Sequence, residues 1–175
     1  MTKLKNIVLY FIFVAAAVYL SQPVTVVFLY DETGGEKYRF VLAPSERFTV
    51  RFLHSWARSP VDEVFQVDPE NNIVLKETAY EDFGAGLPHE PEPGRPVSSM
   101  TVENGKIHIR GIDRTVPDLQ IRVGRFVAAH TLIYKDKHVP FSEFAAPGSV
   151  VIFKAQSMRR CVLWINKIKT FYYDN

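Results

Sequence analysis

"ERFTVRFLH", residues 46–54, sets Arg47, Thr49 and Arg51 in strict alternation with Phe48, Val50 and Phe52. Successive side chains of a strand point to opposite faces, so this pattern is that of a β-strand with one face in a core and one in solvent. The neighbouring segments repeat the theme. "VTVVFLY", residues 24–30, is β-branched and aromatic, and it ends at the turn signal Asp31-Glu32-Thr33-Gly34-Gly35. "KYRFVLA" follows as its partner. Downstream, "VDEVFQV" (61–67) and "NIVLKETAY" (72–80) flank Asp68-Pro69-Glu70-Asn71-Asn72, whose residues tolerate tight backbone geometry. "MTVENGKIHIR" (100–110) centres a two-residue Asn104-Gly105 turn between alternating arms, a strong hairpin signal. "DLQIRVG", "AAHTLIYKD", "KHVPFSEF", "SVVIFKAQ" and "RRCVLWINKIK" read as further strands or strand fragments. About ten short strands at this spacing predict an all-β fold, an antiparallel β-sandwich or a partly closed barrel. The expected core is Phe48, Val50, Phe52, Val64, Val74, Leu75, Ile107, Ile109, Ile121, Leu132, Val151 and Phe153.

Residues 81–99, "EDFGAGLPHEPEPGRPVSS", interrupt the strands with three glycines and four prolines. Proline removes ladder donors and glycine permits positive φ, so a long irregular loop is expected. Loops of this length in compact domains are often functional.

The N-terminus has another character. Lys3 and Lys5 precede "IVLYFIFVAAAVYL", residues 7–20, an uncharged run that ends at Ser21-Gln22-Pro23. Apolar residues on every face argue against a soluble surface helix, which would carry a polar stripe. The expectation is an N-terminal membrane or signal helix over 1–22 and an extracytoplasmic sandwich over 23–175. An uncleaved anchor puts residues 7–20 in the cytoplasmic membrane as a single pass, with the lysines and N-terminus inside and the domain outside. The alternative is a secreted or periplasmic domain released by cleavage.

The net charge of +2, from 21 basic and 19 acidic residues, gives no field directed at nucleic acid, and none is expected as a partner. Cys161 is the single cysteine, which excludes an internal disulfide, a thiolate zinc cage and a CxxC redox centre.

Candidate chemistry gathers in two places. If residues 46–54 and 61–67 form a hairpin, His54 lies at its mouth and Asp62 or Glu63 comes close across the ladder, as an oriented base, a metal ligand or a satisfied pair. Ser55 beside His54 admits a hydrolase of His54, Ser55 and Glu63, although no Gly-x-Ser-x-Gly elbow surrounds it. In "FGAGLP", backbone donors around Gly84 and Gly86 form either an anion nest or a strand exit with close backbone approach. Among His54, His89, His108, His130 and His138 no HxH or HExxH spacing occurs, and neither metal nor cofactor is assigned. The C-terminal segment places Lys154, Arg159, Arg160, Lys167 and Lys169 among Trp164, Phe171, Tyr172 and Tyr173, and reads as basic, aromatic strands that face either headgroups or solvent.

Taken together, "FTVRFLHS", "SPVDEVFQV" and "IVLKETAYEDFGAGLP" resemble a bacterial family of small extracytoplasmic proteins of unknown function encoded beside TAXI-type TRAP transporters. The resemblance covers roughly residues 38–153. His54, Ser55, Glu63, Gly84, Gly86 and Pro88 match its motifs and are the candidate binding residues. The family pattern has an acidic residue soon after the His-Ser pair; here Trp56-Ala57-Arg58 stand in that place. The resemblance implies a non-enzymatic accessory domain whose partners are the transporter's membrane subunits or its substrate-binding protein. An alternative expectation is a domain that binds a small anion at the His54 and Gly84–Gly86 corner, with Arg51, Arg58 and Arg95 as charge-assisted donors.

Overall fold

The computed structural model describes residues 2–54, 58–81, 99–125 and 130–163. It opens with a helix, α1 (Thr2–Ser21), whose Leu4–Ser21 stretch is long and apolar enough to cross a membrane. At 1.5 Å per residue those 18 residues span about 27 Å, close to a bilayer's hydrocarbon thickness. Its large side chains are exposed, Phe13 at 72%. The helix stops where Gln22 precedes Pro23, because the proline ring disfavours helical geometry at the residue before it.

Eleven strands follow among the described residues: β1 (Pro23–Tyr30), β2 (Glu36–Leu42), β3 (Arg47–Leu53), β4 (Pro60–Val67), β5 (Ile73–Tyr80), β6 (Ser99–Glu103), β7 (Lys106–Thr115), β8 (Leu119–Arg122), β9 (Thr131–Tyr134), β10 (Lys137–Pro140) and β11 (Val150–Arg159), with a 3-10 turn at Phe141–Glu143 before the last. They form two antiparallel sheets, a four-stranded one in the order β2-β1-β11-β8 and a seven-stranded one in the order β10-β9-β3-β4-β5-β7-β6. The arrangement is a sandwich with no closed barrel.

Phe48 shows how the sheets are joined. Its ring stacks on Phe65 of its own sheet at 5.4 Å and on Phe153 of the other at 5.9 Å, and meets Phe40 edge-on at 5.3 Å. Val27, Leu29, Leu42, Val50, Val61, Ile109 and Leu132 complete the same cluster. Each fully buried side chain of this size contributes about 1.5–3 kcal/mol of transfer free energy.

The expected core is largely the observed one, with Phe52 and Ile121 packed at its margin. Val64 and Val74 are corrections. Val64 pairs with Thr49 on the opposite face, while Val61 and Phe65 turn inward. The charged Glu63 stands between those two on the inward parity and disguises the alternation. Val74 pairs with Gln66, and a register shift between Leu75 and Glu77 breaks the simple period of β5.

A second correction concerns residues 159–169, expected as a strand. β11 ends at Arg159 and residues 160–163 are helical; 164–169 lie outside the described residues. The ladder has no further partner there, because Arg159 already faces Pro23, the first residue of β1. The chain turns instead. Arg160 N–H donates to Gln22 O at 3.2 Å, and its guanidinium lies 4.3 Å from the centroid of the Tyr19 ring, a cation–π contact. Leu163 then packs on Val24, Val26 and Phe28, an apolar cluster on the outer face of the smaller sheet.

The register gives the sandwich two distinct ends. At the end beside α1 lie Pro23, the 43–46 connection, the Asp68 turn and Arg159. The turn after β1, the β3–β4 corner and the Asn104-Gly105 turn occupy the other. Asn104 and Gly105 have φ of 51° and 77°, the double positive-φ signature of a two-residue hairpin turn.

Candidate functional site

The β3–β4 corner is closed by backbone. Leu53 faces Pro60, His54 N–H donates to Ser59 O at 2.9 Å, and Arg58 N–H donates to His54 O at 2.8 Å. Arg58 takes a φ of 53°, a left-handed geometry that turns the chain back towards β4. Ser59 Oγ is buried with no hydrogen-bond partner among the described residues. On the neighbouring strand Tyr80 faces Val61, so β5 leaves the sheet at this same corner. The last residue of β5 thus lies beside the start of β4, a whole strand pair apart in sequence. His54 and Glu63 are described; Ser55, Gly84, Gly86, Pro88, His89 and Arg95 lie outside the described residues.

The register sets no carboxylate directly opposite His54. Asp62 faces Arg51 and Glu63 faces Val50, three and four residues back from His54. At about 3.3 Å per residue these are offsets of about 10 and 13 Å along the ladder. The fork of Arg51 grips Asp62 instead, Nε to Oδ1 at 2.6 Å and Nη2 to Oδ2 at 2.8 Å. Lys106 Nζ lies 3.4 Å from the same carboxylate and 4.0 Å from Glu81. Burial pushes the Asp62 carboxyl up, but the Arg51 hydrogen bonds, with the charges of Arg51 and Lys106, hold it below its ordinary value. Nε and Nη2 of Arg51 are thus engaged by Asp62.

Glu63 is the unusual member. Its partners across the sheet, Val50 and Thr78, are both buried, so its carboxyl projects from the core-facing side of β4 and is itself only half-buried. No hydrogen bond reaches it among the described residues. Burial raises its pKa, and the charge of Arg114 offsets only part of that.

The outer face of the larger sheet carries a polar row that the sequence reading left unassigned. His108 Nδ1 lies 2.7 Å from Glu77 Oε1, and Arg110 lies 3.4 Å from the same oxygen. Arg110 also makes a two-pronged pair with Glu103, each contact 2.7 Å. The Glu103 carboxyl is held down to about 2 by Arg110 first and Thr101 second. The signal was present in the polar members of "KIHIR" and "RFTVR", which must share a face once the strands pair. His130 lies instead between the rings of Phe52, at 5.6 Å, and Phe141, at 5.5 Å. No group of three or more His, Cys, Asp or Glu placed to hold a metal occurs among the described residues.

Comparison with curated proteins and with solved structures gives no match. Residues 48–141, more than half of the chain and running from within β3 to the first residue of the 3-10 turn, match a protein family. The matched span contains the β3–β4 corner and both motif stretches. The chain belongs to the family described as Domain of unknown function (DUF1850).

Proposed function

We propose that the protein is a membrane-tethered, non-enzymatic β-sandwich that presents its β3–β4 corner to a protein partner outside the cytoplasm, as an accessory of a TAXI-type TRAP transporter. The observation that carries this reading is polarity. α1 joins the sandwich at Pro23, and β3 runs from the 43–46 connection at that end to His54 at the other. Seven strand residues at about 3.3 Å each separate the two ends by about 23 Å. With α1 in a bilayer and Lys3 and Lys5 on the cytoplasmic side, the corner stands clear of the headgroups. A surface so placed suits the transporter's soluble substrate-binding protein better than its membrane subunits. The transporter assignment itself draws on the motif resemblance.

The test is photo-crosslinking of the full-length chain in its native membranes. A reactive residue is placed at Arg58 in the corner, or at Glu70 in the turn at the helix end; both positions are exposed. Adducts with the substrate-binding protein from Arg58 but not from Glu70 are expected. Failure of both positions to capture any transporter component overturns the reading.

A further inference from the structure

We infer that the foot of the sandwich, where the helical turn after β11 meets the end of α1, docks on anionic phospholipid headgroups. The inference rests on the membrane-tether part of the proposed function and adds a second attachment to it. Pro23 faces Arg159, Arg160 N–H donates to Gln22 O, and the Arg160 guanidinium lies over the Tyr19 ring. These contacts tie residues 159 and 160 to the last turn of a helix of membrane-spanning length. Wherever that helix leaves the hydrocarbon, the two arginines lie at the same level. Tyrosine at that depth suits the interfacial belt, where a ring sits at headgroup level.

Charge points to the occupant. From residue 144 to 173 the chain contains no Asp or Glu, yet it carries Lys154, Arg159, Arg160, Lys167 and Lys169. Lys167 and Lys169 lie outside the described residues and enter only as composition. Arg159 is exposed. Glu46, Asp68 and Glu70 lie on the connections at the same end of the sandwich, whereas the segment that meets the helix carries only basic charge; that segment is complementary to an anionic leaflet, and each cation near such a surface strengthens binding about fivefold. The contact has a mechanical consequence. Headgroups bound at the foot add to the Tyr19 and Gln22 contacts in holding the domain upright with the β3–β4 corner outward.

The experiment uses the full-length chain with a nitroxide on Cys161, its single cysteine and the neighbour of Arg160. The protein is reconstituted into vesicles of phosphatidylcholine alone and into vesicles that also contain phosphatidylglycerol. Collision of the label with an aqueous nickel chelate is measured, and vesicle flotation reports the tether separately. Phosphatidylglycerol is expected to shield the label. That shielding falls about fivefold in Arg159→Gln, falls further in Arg159→Gln/Arg160→Gln, and is lost in about 1 M salt, where the Debye length is about 3 Å. Salt acts without any substitution, so the test survives a variant that folds poorly. Equal accessibility in both lipids, or shielding indifferent to salt, overturns the docking while flotation upholds the tether. A chain that does not float overturns both.

Discussion

At the scale of single residues, Glu63 carries the sharpest consequence. A carboxyl on the core-facing side of a sheet lacks the water that would solvate its ionised form, so its pKa in the folded chain stands above the ordinary value of 4.5. A group raised in this way contributes stability that is fully present below its unfolded pKa and lost as pH rises through the folded one. Glu63→Gln keeps the shape and removes the ionisation. Its melting temperature is expected to match the parent near pH 4 and to exceed it by a few degrees near pH 7, as read by thermal unfolding across that range. A difference that does not change with pH would mean that water solvates Glu63 in the folded protein. Asp62, one residue earlier, has the opposite sign: its lowered pKa gives stability that is present at neutral pH and lost on acidification. Adjacent carboxyls on opposite faces of one strand thus respond oppositely to pH.

Among the elements, the β6–β7 hairpin offers the cleanest test of turn chemistry. A Cβ added at Gly105 would meet no atom within 4 Å, so no clash complicates the substitution, and only the φ of 77° opposes it. Gly105→Ala is expected to cost about 1–2 kcal/mol, the penalty for an L-residue in left-handed geometry. For a chain of this size each kcal/mol lowers the melting temperature by about 2–4 °C. A neutral Gly105→Ala would show that the turn relaxes to another type. The Asp31 turn works differently: its carboxylate accepts from Thr33 N at 3.0 Å, Thr33 Oγ1 at 2.7 Å and Gly35 N at 2.8 Å, and Lys37 adds an ion pair at 3.0 Å. Those partners hold its pKa well below the usual carboxylate range.

For the whole molecule, the division between helix and sandwich is the governing feature. No residue of α1 is in either hydrophobic cluster of the described residues, and the contacts that join it to the domain there are those of Tyr19, the Gln22 junction and Arg160. Removal of residues 1–21 is therefore expected to leave a folded sandwich with a melting temperature within a few degrees of the full chain, measured in the same detergent. Loss of cooperative unfolding in the shortened chain would show that α1 supports the fold and is more than a tether. This prediction is independent of the lipid contact proposed at the foot, which concerns orientation and not the stability of the core.

Local pattern alone was enough for the strand class, the hairpin at Asn104-Gly105, the turns at Asp31 and Asp68 and the apolar helix, because each depends on periodicity or on φ preferences within a few residues. Membership of the core was readable wherever alternation was clean, as in residues 46–54. It failed at Val64 and Val74, where a charged residue on the inward parity and a bulge shift the phase. The candidate corner was visible as two separate motifs, while the placing of the end of β5 beside the start of β4 depended on the pairing of Val61 with Tyr80. Strand partnership also decided that Asp62 answers Arg51 and not His54, that Glu63 faces inward, and that Arg160 closes on Tyr19. The reason is physical: periodicity assigns a residue to a face, but register and sheet order select which distant residue stands opposite, and those are set by how both sheets bury their apolar faces at once.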